Sequence, residues 1–406
     1  MEYRINFIRN SFIRFWKDHE PELLAAIMEI GRKGDWVLRE AVSALEDRLA
    51  GYTGTKFGIG VNSGTDALFL SLKALGVGPG DEVITVSHTF IATIQAIVNC
   101  GATPVLVDVG TDELMDMDAV ERAITKKTRV IMPVHFHGKV CDMNKLKAII
   151  RIAESNREME GGLSGSSVSE KGKIYVVEDA AQALGSKQYC QECHTYKMAG
   201  SFGDLGCFSF NTPKLLGGFG DGGGIVTSSR DLAEKLYLLR NHYNMAQTSV
   251  RMLDFPTPDI VEWGWKSRLD NIQAAMLNVK WKYFDQLLAR RKEIANMYCE
   301  GLKDLGIKLP EYSDDDVIQE FIIRIGDSEK RKRFKEHMDK KGIELLIRET
   351  TPNHKVKNLG LDHFNLPITE SISTDAVRLP AYPELYDSEV REIIAATIDF
   401  IDQEPL

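Results

Sequence analysis

Residues 82–108 read EVITVSHTFIATIQAIVNCGATPVLVD. Two apolar, β-branched runs, EVITV (82–86) and PVLVD (104–108), flank a helix-length segment, FIATIQAIVN (90–99), and this order predicts strand, crossover helix and parallel strand. Both runs are apolar on each face, as strands covered by helices on two sides must be. The rhythm continues outward. RVIMPVH (129–135) and IYVVE (174–178) supply further strands, and DAVERAI (118–124) and NKLKAIIRIA (144–153) the helices between them. The alternation across 65–180 predicts an α/β fold whose large domain is built on a mainly parallel sheet.

With 406 residues the chain can bury two cores. The expected division is a large domain over 1–280, including an N-terminal leader, and a smaller α+β domain over 281–406. Apolar residues at helical spacing over 272–302 predict one long helix bridging the two. Residues 321–325, 331–341 and 343–348 then predict strand, helix and strand, closed by a helix near 390–401. SNREMEGGLSGSSVSEKG (155–172) predicts a surface loop. The leader MEYRINFIRNSFIRFWKDHE is interrupted by Arg4, Arg9 and Arg14, so it reads as a packed segment rather than a signal peptide. No run of about 18 apolar residues predicts a membrane helix. Six scattered cysteines predict reduced thiols and a cytoplasmic protein. A formal charge of -9 (50 basic, 59 acidic residues) argues against general attraction to nucleic acid or anionic lipid.

Several constellations carry chemistry. Ser63, Gly64 and Thr65 stand directly before ALFLSLKAL (67–75), where a helix N-terminus can hold a phosphate, or where Ser63 or Thr65 can simply cap the helix. Asp179 follows the IYVVE strand at its carboxyl end. There it can balance a protonated pyridine nitrogen or cap a helix, and Gln182 can reach the same cavity. In GSFGDLGCFSFNTPKLLGGFGDGGG (200–224), Lys214 stands among Phe208, Phe210, Leu215 and Leu216, surroundings that favour the neutral amine imine chemistry requires. Gly218, Gly220 and Gly223 satisfy a dinucleotide-binding pattern, but the strand-like IVTSS that follows fails its context. Cys190 and Cys193 lack a second pair at zinc-site spacing and predict a structural hairpin or a redox-inert pair. His135 and His137 predict core or cavity-lining imidazoles, with no third ligand evident and no metal site expected. The basic run 330–333 predicts a solvated helix face.

Taken together, NSGTDAL, HTFIATIQAI, PVHFHG with CDM, EDAAQALGS, GSFGDLGCFSF, PK with GDGG, and RLDNIQAA closely resemble the DegT/DnrJ/EryC1/StrS sugar aminotransferases across nearly the whole chain. The resemblance implies the aspartate aminotransferase-like fold (PLP-dependent transferase type I), pyridoxal 5′-phosphate as cofactor and a homodimer with shared active sites. It further implies transfer of an amino group from L-glutamate to a nucleotide-linked keto sugar. Glutamate would displace Lys214 from the cofactor and leave as 2-oxoglutarate, after which the sugar takes the nitrogen. By the same resemblance Lys214 holds the cofactor covalently and then moves protons, Asp179 pairs with the pyridinium nitrogen, and Gln182 meets the phenolic oxygen. Gly64, Thr65 and Ser209 take the phosphate, and Phe90 stacks on the ring. Lys266 stands where many relatives have Asn, and Lys266 or Arg268 would reach the neighbouring subunit's phosphate. GDGG resembles the segment of 3-aminotransferases more than the GEGG of many 4-aminotransferases, which implies amination at C3. A 4-keto-sugar or cyclitol acceptor is the alternative, followed by a dehydratase, in which histidine replaces the lysine, or a regulatory protein of this fold. Two stretches are longer than the family pattern, 185–200 with Cys190 and Cys193, and the loop over 155–172.

Overall fold

The apolar runs become neighbouring strands of one sheet in the computed structural model, which describes residues 3–160, 172–243, 262–348 and 350–404. Helices α1 (Arg9–Lys33) and α2 (Glu40–Thr53) lead into β1 (Phe57–Val61), α3 (Gly64–Ala74), β2 (Glu82–Val86), α4 (Ala92–Asn99), β3 (Thr103–Val107) and α5 (Met117–Ala123). There follow β4 (Thr128–Ile131), α6 (Met143–Glu160), β5 (Tyr175–Asp179), the pair β6 (Lys187–Cys190) and β7 (Thr195–Met198), then β8 (Leu205–Ser209), β9 (Gly223–Thr227) and α7 (Arg230–Leu239). The main sheet has seven strands in the order β1-β9-β8-β5-β4-β2-β3. From β8 to β3 all neighbours run parallel, and β9 is antiparallel to both β8 and β1. Parallel strands deliver their carboxyl ends to one edge, where open α/β sheets gather ligand-binding groups.

Differences from the sequence reading have local causes. β4 stops at Ile131 rather than His135 because Pro133 has no N–H for the ladder. Pairing resumes beyond it, with the His135 N–H donating to the Asp179 carbonyl at 2.9 Å. Residues 155–160 continue α6 instead of starting a loop, since Arg, Glu and Met propagate a helix well. Residues 161–171 of that expected loop lie outside the described residues. The stretch 272–302 is two helices, α8 (Asn271–Trp281) and α9 (Phe284–Leu302), and the turn between them seats Phe284 against Tyr52 and Trp281. Residues 343–348 form no strand. The partner of β10 (Phe321–Arg324) is β11 (Ala376–Leu379), antiparallel, with α10 (Ser328–Lys340) and α11 (Pro367–Asp375) between them and α12 (Asp387–Gln403) after. Four buried residues were too few for periodicity to reveal β11. As expected, Cys190 and Cys193 sit at a hairpin, β6–β7, with the Cys193 N–H donating to Cys190 Sγ at 3.2 Å.

Packing separates two principal regions. Residues from both faces of the sheet fill its core, whereas Tyr298, Phe321, Phe334, Val377 and Phe400 build another under β10 and β11. Ile5 joins that second core and bridges to Ile343, and Arg14 makes two 2.7 Å contacts with Glu389, so the leader is packed. Among the described residues no helix is long and apolar enough to cross a membrane.

One buried ion pair ties α2, β1 and α7 together. Arg240 and Glu46 are each 1% exposed and in direct contact. The Gly60 N–H donates to Glu46 Oε1 at 2.8 Å, and Arg240 donates to the Gly60 carbonyl at 2.7 Å. Removing one partner strands a charge in the interior, so Arg240→Ala should cost about 3–5 kcal/mol, whereas replacing both residues by Met should cost much less. Urea unfolding midpoints of the three proteins check this. Equal losses from the single and double variants would contradict it.

Candidate active site

The last two residues of β5 point to opposite faces of the sheet and do different work. Glu178 accepts the backbone N–H groups of Gly200, Phe202 and Gly203 at 2.6–2.7 Å, fixing the turn that leads into β8. Its Oε2 also meets His135 Nε2 at 2.8 Å, while His135 Nδ1 accepts the Cys141 N–H at 3.2 Å, an arrangement that puts the imidazole proton on Nε2. His135 is thus a satisfied core histidine. Asp179, 5% exposed, faces the other way. Thr93 on α4 donates to its Oδ2 at 2.8 Å and the Ala181 N–H to its Oδ1 at 3.2 Å. A turn rather than a helix follows, so Asp179 caps no helix. Burial pushes its carboxyl above the ordinary value of 3.8, opposed by the two donors and by the positive charge of Lys214.

A phosphate-sized cradle lies where α3 begins. Ser63 caps the helix by accepting the Asp66 N–H at 3.1 Å, which leaves the first-turn N–H groups of Gly64 and Thr65 without acceptors inside the helix. A side chain at Gly64 would come within 2.8 Å of Ser209 Cβ, and one at Gly223 within 2.3 Å of the Ser63 carbonyl. Glycine at both positions lets the ends of β8, β9 and α3 close together, bringing Gly64, Thr65 and Ser209 to one place.

Lys214 lies on the loop between β8 and β9. That loop is closed by the Phe210 N–H on the Gly222 carbonyl and the Gly218 N–H on the Phe210 carbonyl, both 2.8 Å. Gln319 pins the backbone on each side of the lysine, accepting from the Leu215 N–H at 3.1 Å and donating to the Pro213 carbonyl at 3.0 Å. Phe208, Phe210, Leu215 and Leu216 are buried as expected, but the lysine itself is only half-buried. Gln182 accepts the His137 N–H through Oε1 at 2.8 Å, which leaves its amide NH₂ to donate to a ligand oxygen. Phe90 is 61% exposed, three residues before Thr93. Asn353 fixes that loop by donating to the Ser87 and Thr89 carbonyls at 3.0 and 2.7 Å.

Lys266 and Arg268 flank Ser267 in an extended segment that bridges to Asn241. Ser267 is buried and exchanges hydrogen bonds of 3.2–3.3 Å with Asn62, beside the cradle. Lys266 is exposed, whereas Arg268 is half-buried and donates to the Asn241 Oδ1 at 3.5 Å. Thr93, Gln319 and Asn353 were not found from the sequence. Each acts on a partner distant in the chain, and only the doubled threonine of HTFIAT, with Thr89 Oγ1 2.8 Å from Thr93 Oγ1, was a local signal.

The sequence model of the DegT/DnrJ/EryC1/StrS aminotransferase family matches residues 17–154 and 165–397. The chain belongs to that family. It is 36% identical to a dTDP-3-amino-3,6-dideoxy-α-D-galactopyranose transaminase of Aneurinibacillus thermoaerophilus, with 93% of this chain and 95% of that protein covered. It is 32% identical to a pleiotropic regulatory protein of Geobacillus stearothermophilus, covering 94% and 95%. Among solved structures it is similar to Bacillus subtilis NtdA with bound cofactor PMP, at 27% identity and a TM-score of 0.80 over 95% of this chain and 82% of that one.

The cofactor of this family member is pyridoxal 5′-phosphate, and the residues present fit it. Asp179 is a buried carboxyl held by two neutral donors, a site that a ring N–H⁺ would complete. The anion cradle at α3 fits a phosphate, and the Gln182 amide fits a phenolic oxygen.

Proposed function

We propose that this aminotransferase moves the amino group of L-glutamate to C3 of a nucleotide-linked keto sugar, working as a cytoplasmic homodimer with shared sites. The observation that carries the reading is the meeting of three loops at one sheet edge. They bring a lysine, a buried carboxyl that feels its charge, and a helix-terminal anion cradle into one region. When bound, the cofactor supplies an electron-withdrawing ring that stabilises charge left by a departing proton. The chain's own groups do the rest. Gly64, Thr65 and Ser209 anchor the phosphate, Asp179 keeps the ring nitrogen protonated, and Phe90 covers the ring. The Lys214 amine is first the covalent tether, then the base that takes the proton at Nζ and the acid that returns it.

Amination at C3 is supported by the GDGG sequence and by the name of the Aneurinibacillus relative. Purified protein incubated with glutamate and a panel of 3-keto and 4-keto nucleotide sugars should yield product with nitrogen at C3 by NMR. Nitrogen at C4 would overturn this assignment. Six free cysteines among the described residues suit a reducing cytoplasm.

Sharing of sites is supported by the exposure of Lys266 and by the resemblance of the GWKSRLDNIQAA segment to one that reaches the neighbouring subunit in this family. Lys214→Ala and the double variant Lys266→Ala/Arg268→Ala should each be nearly inactive alone. Co-refolded in equal amounts, half the dimers are hybrids with one intact site of two, so activity should return to roughly a quarter of wild type. No gain on mixing, with hybrids demonstrated by differential tags, would mean that Lys266 and Arg268 do not serve the partner's site.

A further inference from the structure

Three loops at the carboxyl edge of the sheet bring together a set of side chains that the transamination chemistry does not use. His88 follows β2, Glu113 lies between β3 and α5, and His137 follows β4. Glu113 Oε2 stands 3.8 Å from His88 Nε2 and 3.6 Å from His137 Nε2, and one donor atom from each of the three residues lies within 4.8 Å of the others. Both imidazoles are 6% exposed, yet His88 Nε2 and both ring nitrogens of His137 have no hydrogen-bond partner among the described residues. Leaving buried polar nitrogens unpaired costs roughly 1–3 kcal/mol each, so three of them, two converging on one Glu113 oxygen and the third facing Glu320, call for a physical reason.

We propose that His88, Glu113 and His137 form a binding site for a divalent transition-metal ion of the zinc class, with at least one coordination position left to water. The distances support this. Tetrahedral zinc with bonds near 2.0–2.1 Å separates its ligand atoms by roughly 3.3 Å, so the two contacts to Glu113 need to close by only a few tenths of an ångström. Two imidazoles and one carboxylate are a common donor set for zinc and for other first-row ions with open positions. The outer groups are also in place. His137 Nδ1 faces Glu320 Oε2 at 3.8 Å, the side on which a ligating histidine donates its remaining N–H to a carboxylate. Glu320 is in turn held by Arg378 at 2.6 Å, and Glu113 Oε1, the oxygen turned away from the imidazoles, faces Arg324 at 3.7 Å. A cavity of about 300 Å³ reaches Glu113 and His137 and provides a route for the ion and its water.

The backbone agrees with this assignment. His137 has φ +57°, an uncommon conformation for a residue other than glycine, and its N–H is the one that orients Gln182. An ion on His137 would therefore hold the turn on which that amide depends. In this region the sequence singles out only His135 and His137. His135 is consumed by Glu178, and the other ligands come from loops far upstream.

The test uses holoenzyme dialysed against chelator, then titrated with Zn²⁺ by calorimetry and with Co²⁺ by visible absorption. One ion per chain is expected, with a Co²⁺ spectrum of low-symmetry nitrogen and oxygen ligation. Glu113→Gln and His137→Asn, the latter tolerated at positive φ, should each weaken Zn²⁺ binding by about 100-fold or more, since even outer-shell losses cost 10–100-fold. Melting temperature is measured alongside to show that both variants fold. No binding to the wild type, unchanged affinity in both folded variants, or binding abolished instead by Cys190→Ser/Cys193→Ser would each overturn the proposal.

Discussion

Lys214→Ala should lower transamination by at least about 10³-fold while the cofactor-free protein still folds. Proton transfer by a positioned side chain contributes roughly 10²–10⁴-fold, and the same residue is also the covalent tether. The backbone around it is anchored by other groups. The loop is held by Gln319 on the Pro213 carbonyl and the Leu215 N–H, and by the pairing of Phe210 with Gly222 and Gly218. The variant should still bind the cofactor through the α3 cradle and Asp179, in a form that washes out on dialysis. Measuring both half-reactions by stopped flow checks the claim. Losses confined to one half-reaction would show that another group moves the proton.

Asp179→Asn should cost about 10²–10⁴-fold in both half-reactions, because a neutral amide cannot hold the ring nitrogen protonated. Folding should survive. The Asn oxygen can accept the Ala181 N–H while its NH₂ donates to Thr93, whose hydroxyl can reverse its role. The pH dependence of the cofactor-free protein has a definite sign. Burial raises the folded carboxyl above 3.8, so Asp179 contributes stability that is fully present below its unfolded pKa and is lost as pH rises through the folded one. At neutral pH, Asp179→Asn should therefore melt higher than wild type without cofactor, and the difference should vanish in acid. A near-normal rate in the variant, or a lower melting temperature at neutral pH, would contradict the role given to this carboxylate.

The sheet was legible because its inner strands are apolar on both faces, so EVITV, PVLVD and IYVVE stood out from the amphipathic helices between them. Where the reading failed, the deciding interaction was tertiary or too short to have a period. Nothing in Lys282–Tyr283 breaks a helix by propensity, and the turn exists because Phe284 packs between Tyr52 and Trp281. AVRL at β11 is simply four residues long. In the site, Lys214, Asp179 and the Ser63–Thr65 segment could be picked out because a lysine among phenylalanines, an acid at a strand end and a polar triplet before an apolar helix are each locally unusual. Their meeting at one edge could not be read from spacing. Gln319 and Asn353 carry no local mark, being ordinary polar residues whose meaning lies in a partner far away along the chain, and Thr93 shows only in the doubled threonine of HTFIAT.

The central claim is that Lys214 carries the cofactor. Borohydride reduction of the purified holoenzyme, followed by proteolysis and mass spectrometry, tests it most directly. The visible absorption band should disappear, and a pyridoxyl-phosphate mass should appear on the peptide containing Lys214 in stoichiometric amount, with none in Lys214→Ala. Label on another lysine, with Lys214 unmodified, would contradict the account.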